Sequence, residues 1–369
     1  MPTNPLRRFH PRITAISRYA TGLLASLVVC AGGCPITPSQ TDDGTSGTFE
    51  TAKSVNFNND QAEFLAEISS AKDTDIYDLG VLSPGDRLYV DVQTTSGDLD
   101  PLAAVFDDRQ YLLAFNDDRA PDASNLNPLI DVSVFGAEGT YYLGVAPYPG
   151  SGSTGQYRVT IRITRDVGLL APEPQIVYLN WQGGQNVVIQ NVGTFDLDPF
   201  DAADVGFPGQ TAELKDAIQN VIAARYEGYA LILLNSDDDA VPADLHSTVY
   251  YGGSSRNAFA IAEEIDTQNA HHDDNAIVFT SGFYDAFSVT PTFSQMATAI
   301  GDTTAHEIGH LLGLVHTKDC NSLMDSTCGN DALLHEQVFK LAPLDPSVFP
   351  LGYQNAVELV EWAIGLVSS

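Results

Sequence analysis

The stretch that most constrains this chain is His306-Glu307-Ile308-Gly309-His310-Leu311-Leu312-Gly313-Leu314-Val315-His316, followed by Ser322-Leu323-Met324-Asp325. On a helix, His306 and His310 stand four residues apart, about one turn, so both imidazoles leave the same face. Glu307 lies beside them, where a carboxylate reaches water on a bound metal rather than the metal itself. Gly313 can take the left-handed backbone conformation that ends a helix, and the chain can then swing back to deliver His316. Three neutral imidazoles leave the fourth position of a tetrahedral zinc open. The competing reading is a helix that carries two histidines on a solvated face. It leaves the placement of Gly313, His316 and Met324 unexplained.

The spacing H-E-x-x-H-x-x-G-x-x-H with a methionine downstream resembles the signature of the metzincin zinc peptidases. The resemblance implies one catalytic zinc on His306, His310 and His316, with Glu307 as general base. It implies Met324 in a turn beneath the imidazoles, a protein or peptide substrate, and an endopeptidase that acts as a monomer. Thr317, after the third histidine, matches none of the large subfamilies, and no tyrosine closely follows Met324. The subfamily, matrixin-like or another bacterial one, therefore stays open. A different class remains available: a surface adhesin or binding module with a structural zinc, which needs neither Glu307 nor an open fourth position. Cys320 and Cys328 bracket Met324, and in an oxidising compartment a disulfide between them would clamp that loop. Two free thiols, or Cys320 as a fourth zinc ligand, are the alternatives.

Residues 1–33 hold Arg7, Arg8, Arg12 and Arg18 and no acidic residue, and contain the apolar run Gly22-Leu23-Leu24-Ala25-Ser26-Leu27-Val28-Val29. A basic start, a short apolar core and small residues before a cysteine read as a secretory signal, too short for a comfortable membrane span. Ala31-Gly32-Gly33-Cys34 resembles a bacterial lipobox, which implies lipidation of Cys34. Cys30 competes, but bulky Val29 precedes it. Arg7-Arg8 also hints at a twin-arginine signal, and an N-terminal core helix or a true membrane anchor is the alternative. Residues 34–47 form a polar tether without apolar periodicity. The expected location is outside the cytoplasm, lipid-anchored to an outer membrane or cell surface, otherwise secreted. The formal net charge of −31 becomes more negative once the four signal arginines are gone. Such a surface repels nucleic acid and anionic lipid, so neither is a plausible partner and membrane contact comes only through the anchor. It is compatible with bound calcium.

Hydrophobic content of 44% is ordinary for a globular chain, and the length suggests two domains. The fold expected is multidomain: an all-β sandwich at 48–165, a linker at 166–174, and an α/β (α+β) metzincin-like domain at 175–369. In the first part, Asp75–Leu79, Arg87–Val92, Leu102–Phe106, Tyr141–Val145 and Tyr157–Ile163 alternate or run apolar over strand length between Pro-Gly, Ser-Gly and Glu-Gly turns. That region resembles bacterial pre-peptidase C-terminal domains in Asp73-Thr74-Asp75-Ile76-Tyr77, Asp98-Leu99-Asp100, Asn116-Asp117-Asp118 and Gly139-Thr140-Tyr141-Tyr142-Leu143-Gly144-Val145. The family implies a binding or stability module. Asp98, Asp100, Asn116, Asp117 and Asp118 are hard oxygen donors suited to calcium, and equally suited to capping turns.

Past the linker the pattern predicts a strand at 176–181, a helix at 210–226, and a buried strand at 229–234. Further strands follow at 248–251, 258–261 and 276–280. A second helix starts at Thr292 with Gln295 as its capping-box partner. Phe293, Met296, Ile300, Ile308 and Leu311 form its apolar stripe. The metzincin likeness implies that 257–261 is the edge strand that pairs with substrate. His271-His272-Asp273-Asp274 invites a second-metal reading, but neighbours on an extended loop point apart, which favours a solvated loop. His246 and His335 carry no partner pattern, and Tyr353–Val367 has the spacing of a closing helix. Replacement of Cys34 by Ala is expected to release the protein from membranes into the soluble fraction. Unchanged membrane retention of that variant would rule out the lipid anchor.

Overall fold

The computed structural model describes residues 47–119, 124–190, 192–255 and 258–367. The signal, tether residues 34–46 with Cys34, Cys30 and Asn257 lie outside them. The first half contributes nine strands: β1 (Lys53–Ser54), β2 (Gln61–Ile68), β3 (Asp75–Leu82), β4 (Arg87–Thr94), β5 (Pro101–Phe106), β6 (Leu112–Asn116), β7 (Leu129–Ser133), β8 (Gly139–Pro147) and β9 (Gly155–Thr164). They form two sheets, ordered β1-β3-β8-β5-β6 and β2-β9-β4-β7, antiparallel except for the short β1–β3 pair. Strand β4 shows why they stack. Leu88, Val90 and Val92 alternate inward and are fully buried, while Tyr89 and Asp91 point away. Strands β2 and β7 carry weaker apolar alternation, and the sequence pattern does not reveal them.

Strand β5 behaves differently, because all six of its residues are buried. Ala103 and Val105 belong to the sandwich interior. Leu102, Ala104 and Phe106 face outward into a second apolar cluster, shared with Ile265, Val315, Leu344, Val348 and Phe349 of the second half. A continuous apolar run signals a strand covered on both faces, and here the cover is the other domain. The ring of Phe349 packs 5.4 Å from that of Phe106. A Cβ placed on Gly144 would stand 2.5 Å from the Phe349 ring, so the glycine makes room for it.

The second half has its own sheet. Strand β10 (Gln175–Asn180) is followed by a hairpin of β11 (Gly184–Ile189) and β12 (Gly193–Leu197), then α1 (Thr211–Arg225), β13 (Leu231–Asn235), β14 (Ser247–Tyr251), β15 (Ala260–Ala262), β16 (Asn275–Val278) and α2 (Phe293–Leu311). The sheet order is β13-β10-β14-β16-β15, parallel except for β15, which runs antiparallel at the edge. Val249, Ala276 and Val278 face the helices. Ile277 and Phe279 face the β11–β12 hairpin, an element absent from the sequence expectations. Among the described residues, no strand pairing joins the two halves' main sheets.

Two expectations need correction. The segment at 229–234 is no buried strand: β13 lies at the sheet edge, with Ile232 45% exposed. The closing helix is shorter than its apolar spacing suggests. Tyr353–Asn355 instead forms β18, paired with β17 (Leu341–Pro343), and α3 spans Ala356–Ile364 before Gly365 takes positive φ.

Because Phe349 is wholly buried in the cluster between the halves, Phe349→Ala is expected to cost about 3–5 kcal/mol. Calorimetry should show a lower melting temperature and separate transitions for the two halves. An unchanged single transition would mean that the interface contributes little to stability.

Candidate metal centre

Helix α2 begins as its sequence predicts. Thr292 Oγ1 accepts from the Gln295 backbone N–H (3.3 Å), and Gln295 Oε1 accepts from the Thr292 N–H (3.0 Å). Met296, Ile300, Ile308 and Leu311 are buried against α1 and the sheet. The crossing with α1 is close, since a Cβ on Gly301 would stand 2.6 Å from Val221. Buried polar contacts fix the helix just ahead of its histidines. Arg225 Nε donates to Asp302 (2.6 Å), Tyr226 Oη to the Ala305 carbonyl (2.9 Å), and Tyr251 Oη to Thr304 (3.1 Å). Burial outweighs the guanidinium and pushes Asp302 up to about 6.

The helix ends in a Schellman turn. Leu314 N–H donates to Gly309 O and Gly313 N–H to His310 O, both at 2.9 Å, with Gly313 at φ 91°. A Cβ there would also stand 2.8 Å from Asp266 O, so both backbone conformation and packing demand glycine. The chain then returns His316 to the helix. His310 Nε2 and His316 Nε2 lie 3.2 Å apart, and single ligand atoms of His306, His310 and His316 all fall within 4.8 Å of one another.

The opposite ring nitrogens determine which lone pairs are available. His306 Nδ1 is 2.7 Å from the Leu323 carbonyl and His310 Nδ1 is 2.8 Å from the Leu314 carbonyl. A carbonyl only accepts, so each Nδ1 carries the proton and each Nε2 offers a bare lone pair. Burial lowers the proton affinity of His306. Burial and then the neighbouring His306 and His316 lower that of His310 further. Both rings are thereby held neutral, the form that binds a metal. Three converging imidazoles suit a tetrahedral ion such as zinc.

Met324 is fully buried, and its sulfur would lie 2.7 Å from a Cβ on Gly309. The turn that carries it runs back along the segment after His316: Thr317 N–H donates to Met324 O (2.8 Å), and the Thr317 hydroxyl to Ser322 Oγ (2.9 Å). Cys320 and Cys328 are joined as a disulfide that closes this turn, with Cα atoms 5.6 Å apart. Cys320 therefore does not serve as a fourth ligand. Glu307 is 7% exposed and takes a hydrogen bond from the Ala262 N–H of the edge strand, while burial pushes it up to about 8. A cation on the triad would draw that value back down.

Sequence reasoning missed Thr317, Ser322 and Gln354 as supports. Gln354, on β18, is fully buried; its Oε1 accepts from Val315 N–H (2.7 Å) and its Nε2 donates to Val315 O (2.9 Å). Both backbone groups next to His316 are thus held by one side chain. The neighbouring Tyr353 N–H donates to Gln110 O in the β5–β6 turn (3.0 Å), so the sandwich is two residues' contacts from the third histidine. No short-range pattern marks such a glutamine.

The other sequence candidates are scattered. Asp100, Asp117 and Asp118 are buried at one end of the sandwich, and burial plus the charges of Asp118 and Asp100 push Asp117 up to about 7. Asp98 accepts from Thr154 N–H and Asn116 from Leu129 N–H, contacts that join separate segments of the sandwich, and Asp117 accepts from Asp118 N–H. His246 lies edge-on to the Tyr178 ring, and among the described residues His335 joins no group of converging ligand atoms. Of the loop 271–274, Asp273 is exposed as expected, His271 and His272 are half-buried, and Asp274 is buried at 4% exposure.

Residues 246–346, roughly a quarter of the chain, match the sequence profile of the matrixin peptidase family. That span contains the triad, Glu307 and the Met324 turn. No curated protein matches the chain. Among solved structures, archaemetzincin from Methanopyrus kandleri is 11% identical, with 51% of this chain and 94% of that one covered at a TM-score of 0.29. A zinc-dependent peptidase from Methanocorpusculum labreanum is 14% identical, covering 44% and 93% at 0.24. The pre-peptidase C-terminal domain of a Bacillus anthracis collagenase is 16% identical, covering 34% and 98% at 0.23.

Gln354→Leu leaves the Val315 N–H and C=O without partners, which costs about 1–3 kcal/mol per buried group. It is expected to lower the melting temperature and weaken zinc binding roughly 10–100-fold in chelator competition, as loss of supporting contacts typically does. Unaltered zinc affinity would show that Gln354 serves stability alone.

Proposed function

We propose that this chain is a zinc-dependent endopeptidase of metzincin type, acting outside the cytoplasm from a lipid anchor at Cys34. The observation that carries the reading is the convergence of three imidazoles whose Nδ1 protons are committed to backbone carbonyls or whose Nε2 atoms meet directly, beside a buried carboxylate. The matrixin match over the same residues supports it.

Bound on His306, His310 and His316, zinc would polarise the scissile carbonyl and lower the pKa of water towards neutrality. Glu307 is the general base: it accepts the proton of the attacking water and passes it to the departing amine. Its position between helix α2 and Ala262 puts it next to where an extended substrate would lie. Strand β15 supplies that place. Its odd-numbered neighbours bond inward, with Glu263 N–H on Asn275 O and Phe259 O accepting from Phe279 N–H, so the backbone of Ala260 and Ala262 faces the edge, where the Ala262 N–H is held by Glu307. A peptide added there as a further strand gains main-chain hydrogen bonds without regard to its side chains. Met324 supports the histidines from below without ligating.

Glu307→Ala should keep fold and zinc yet lose on the order of 100-fold or more of casein hydrolysis, the usual contribution of a general base. His310→Ala should lose the metal as well. An active, zinc-loaded Glu307→Ala protein contradicts the assignment. A wild-type protein that holds zinc but cleaves no peptide library points instead to the binding module.

A further inference from the structure

Asp302 is wholly buried and stands four residues before His306 on α2, so the two side chains leave the same face one turn apart. Its carboxylate joins two other parts of the chain. Arg225, at the end of α1, donates from Nε to Oδ1 (2.6 Å) and from Nη2 to Oδ2 (3.4 Å). The Gln337 backbone N–H donates to Oδ2 as well (3.1 Å). The Arg225 side chain is 8% exposed, and its Nη1 donates to Glu336 (3.0 Å), the residue before Gln337. Acid and guanidinium therefore converge on the segment 336–338.

That segment is bonded in turn to the loop that carries Met324. The Gln337 side chain, 3% exposed, donates from Nε2 to the Cys320 carbonyl (3.2 Å). Val338 N–H donates to Asn321 O (3.2 Å), and Val338 O accepts from Leu323 N–H (2.9 Å). Leu323 O then accepts from His306 Nδ1 at 2.7 Å. The path leaves α2 at Asp302 and returns to it at His306, a closed ring through three segments. The attraction within a buried ion pair offsets its desolvation poorly, and apolar side chains of like volume often serve stability equally well. Stability alone gives little reason for an acid at 302. Geometry gives one, because an apolar residue there could not hold the Gln337 N–H.

We propose that Asp302 and Gln337 are positioning residues for His306. Through the segment 336–338 they fix the Leu323 carbonyl, and with it the tautomer and direction in which His306 presents Nε2. The inference rests on the zinc reading of the triad; neither residue is itself a ligand or a catalytic group. His310 and His316 have separate supports in Leu314 O and Gln354, so the effect falls on one ligand of the three.

The test compares the full-length wild type with Asp302→Ala, Gln337→Leu and the neutral pair Arg225→Gln/Asp302→Asn. Zinc affinity is read by chelator competition, and ligand geometry by the visible bands of the cobalt-substituted protein. Asp302→Ala is expected to bind zinc roughly 10–100-fold more weakly, with altered cobalt bands. The neutral pair keeps an acceptor for the Gln337 N–H and should recover most of that affinity without either charge. Gln337→Leu removes only the bond to the Cys320 carbonyl, should weaken zinc with the fold intact, and decides the matter if Asp302→Ala does not fold. Wild-type zinc affinity and cobalt bands in these variants, with only the melting temperature lowered, overturn the proposal. A folded neutral pair that binds zinc no better than Asp302→Ala overturns it too. A wild type that binds no zinc is a different result, since it removes the zinc reading of the triad together with this inference.

Discussion

The arrangement depends on two hydrogen bonds, from His306 to the Leu323 carbonyl and from His310 to the Leu314 carbonyl. Each makes one ring nitrogen a fixed donor and leaves the other as a bare acceptor aimed at a common point. Neither carbonyl belongs to regular helix. Leu314 O is in place because the helix stops at Gly313 and the backbone reverses there. Leu323 O is in place because the turn around Met324 runs back along Thr317. The metal geometry is therefore set by backbone placement as much as by the three side chains, and a substitution that moves either turn acts on the site without touching a histidine.

Much of this was legible in the sequence where the cause is local. The helix start at Thr292, the left-handed Gly313 and the spacing of the three histidines all follow from interactions within a few residues. The five sandwich strands expected from the sequence are marked by alternation or, in β5, by a continuous apolar run. The rest required contacts across the chain. Gln354 reaches Val315 from 39 residues away, and nothing in its neighbourhood signals that task. The loop 271–274 reads as solvated because neighbours on an extended loop point apart. In the structure Asp274 is buried while Asp273 stays exposed, a split that only the fold around them reveals. The segment at 229–234 is apolar enough for an internal strand, and only the sheet order reveals that it sits at an edge.

The two halves are more interdependent than a linker with two prolines suggests. Strand β5 gives alternate residues to two different cores, one inside the sandwich and one shared with Val315, Val348 and Phe349. Val315 immediately precedes the third histidine. The sandwich thus packs against the segment that completes the triad, and Gln110 O holds the strand that carries Gln354. This gives the sandwich a physical reason to be kept in front of the metal centre: it buries the far side of the loop that must hold His316 in place.

The central claim is that three imidazoles meet at one open tetrahedral position. Diffraction at the zinc absorption edge from crystals grown with zinc tests it most directly. The account predicts an anomalous peak roughly 2.0–2.1 Å from Nε2 of His306, His310 and His316, with no protein atom as fourth ligand. A peak elsewhere with none at the triad, or a fourth side chain closing the site, would contradict it.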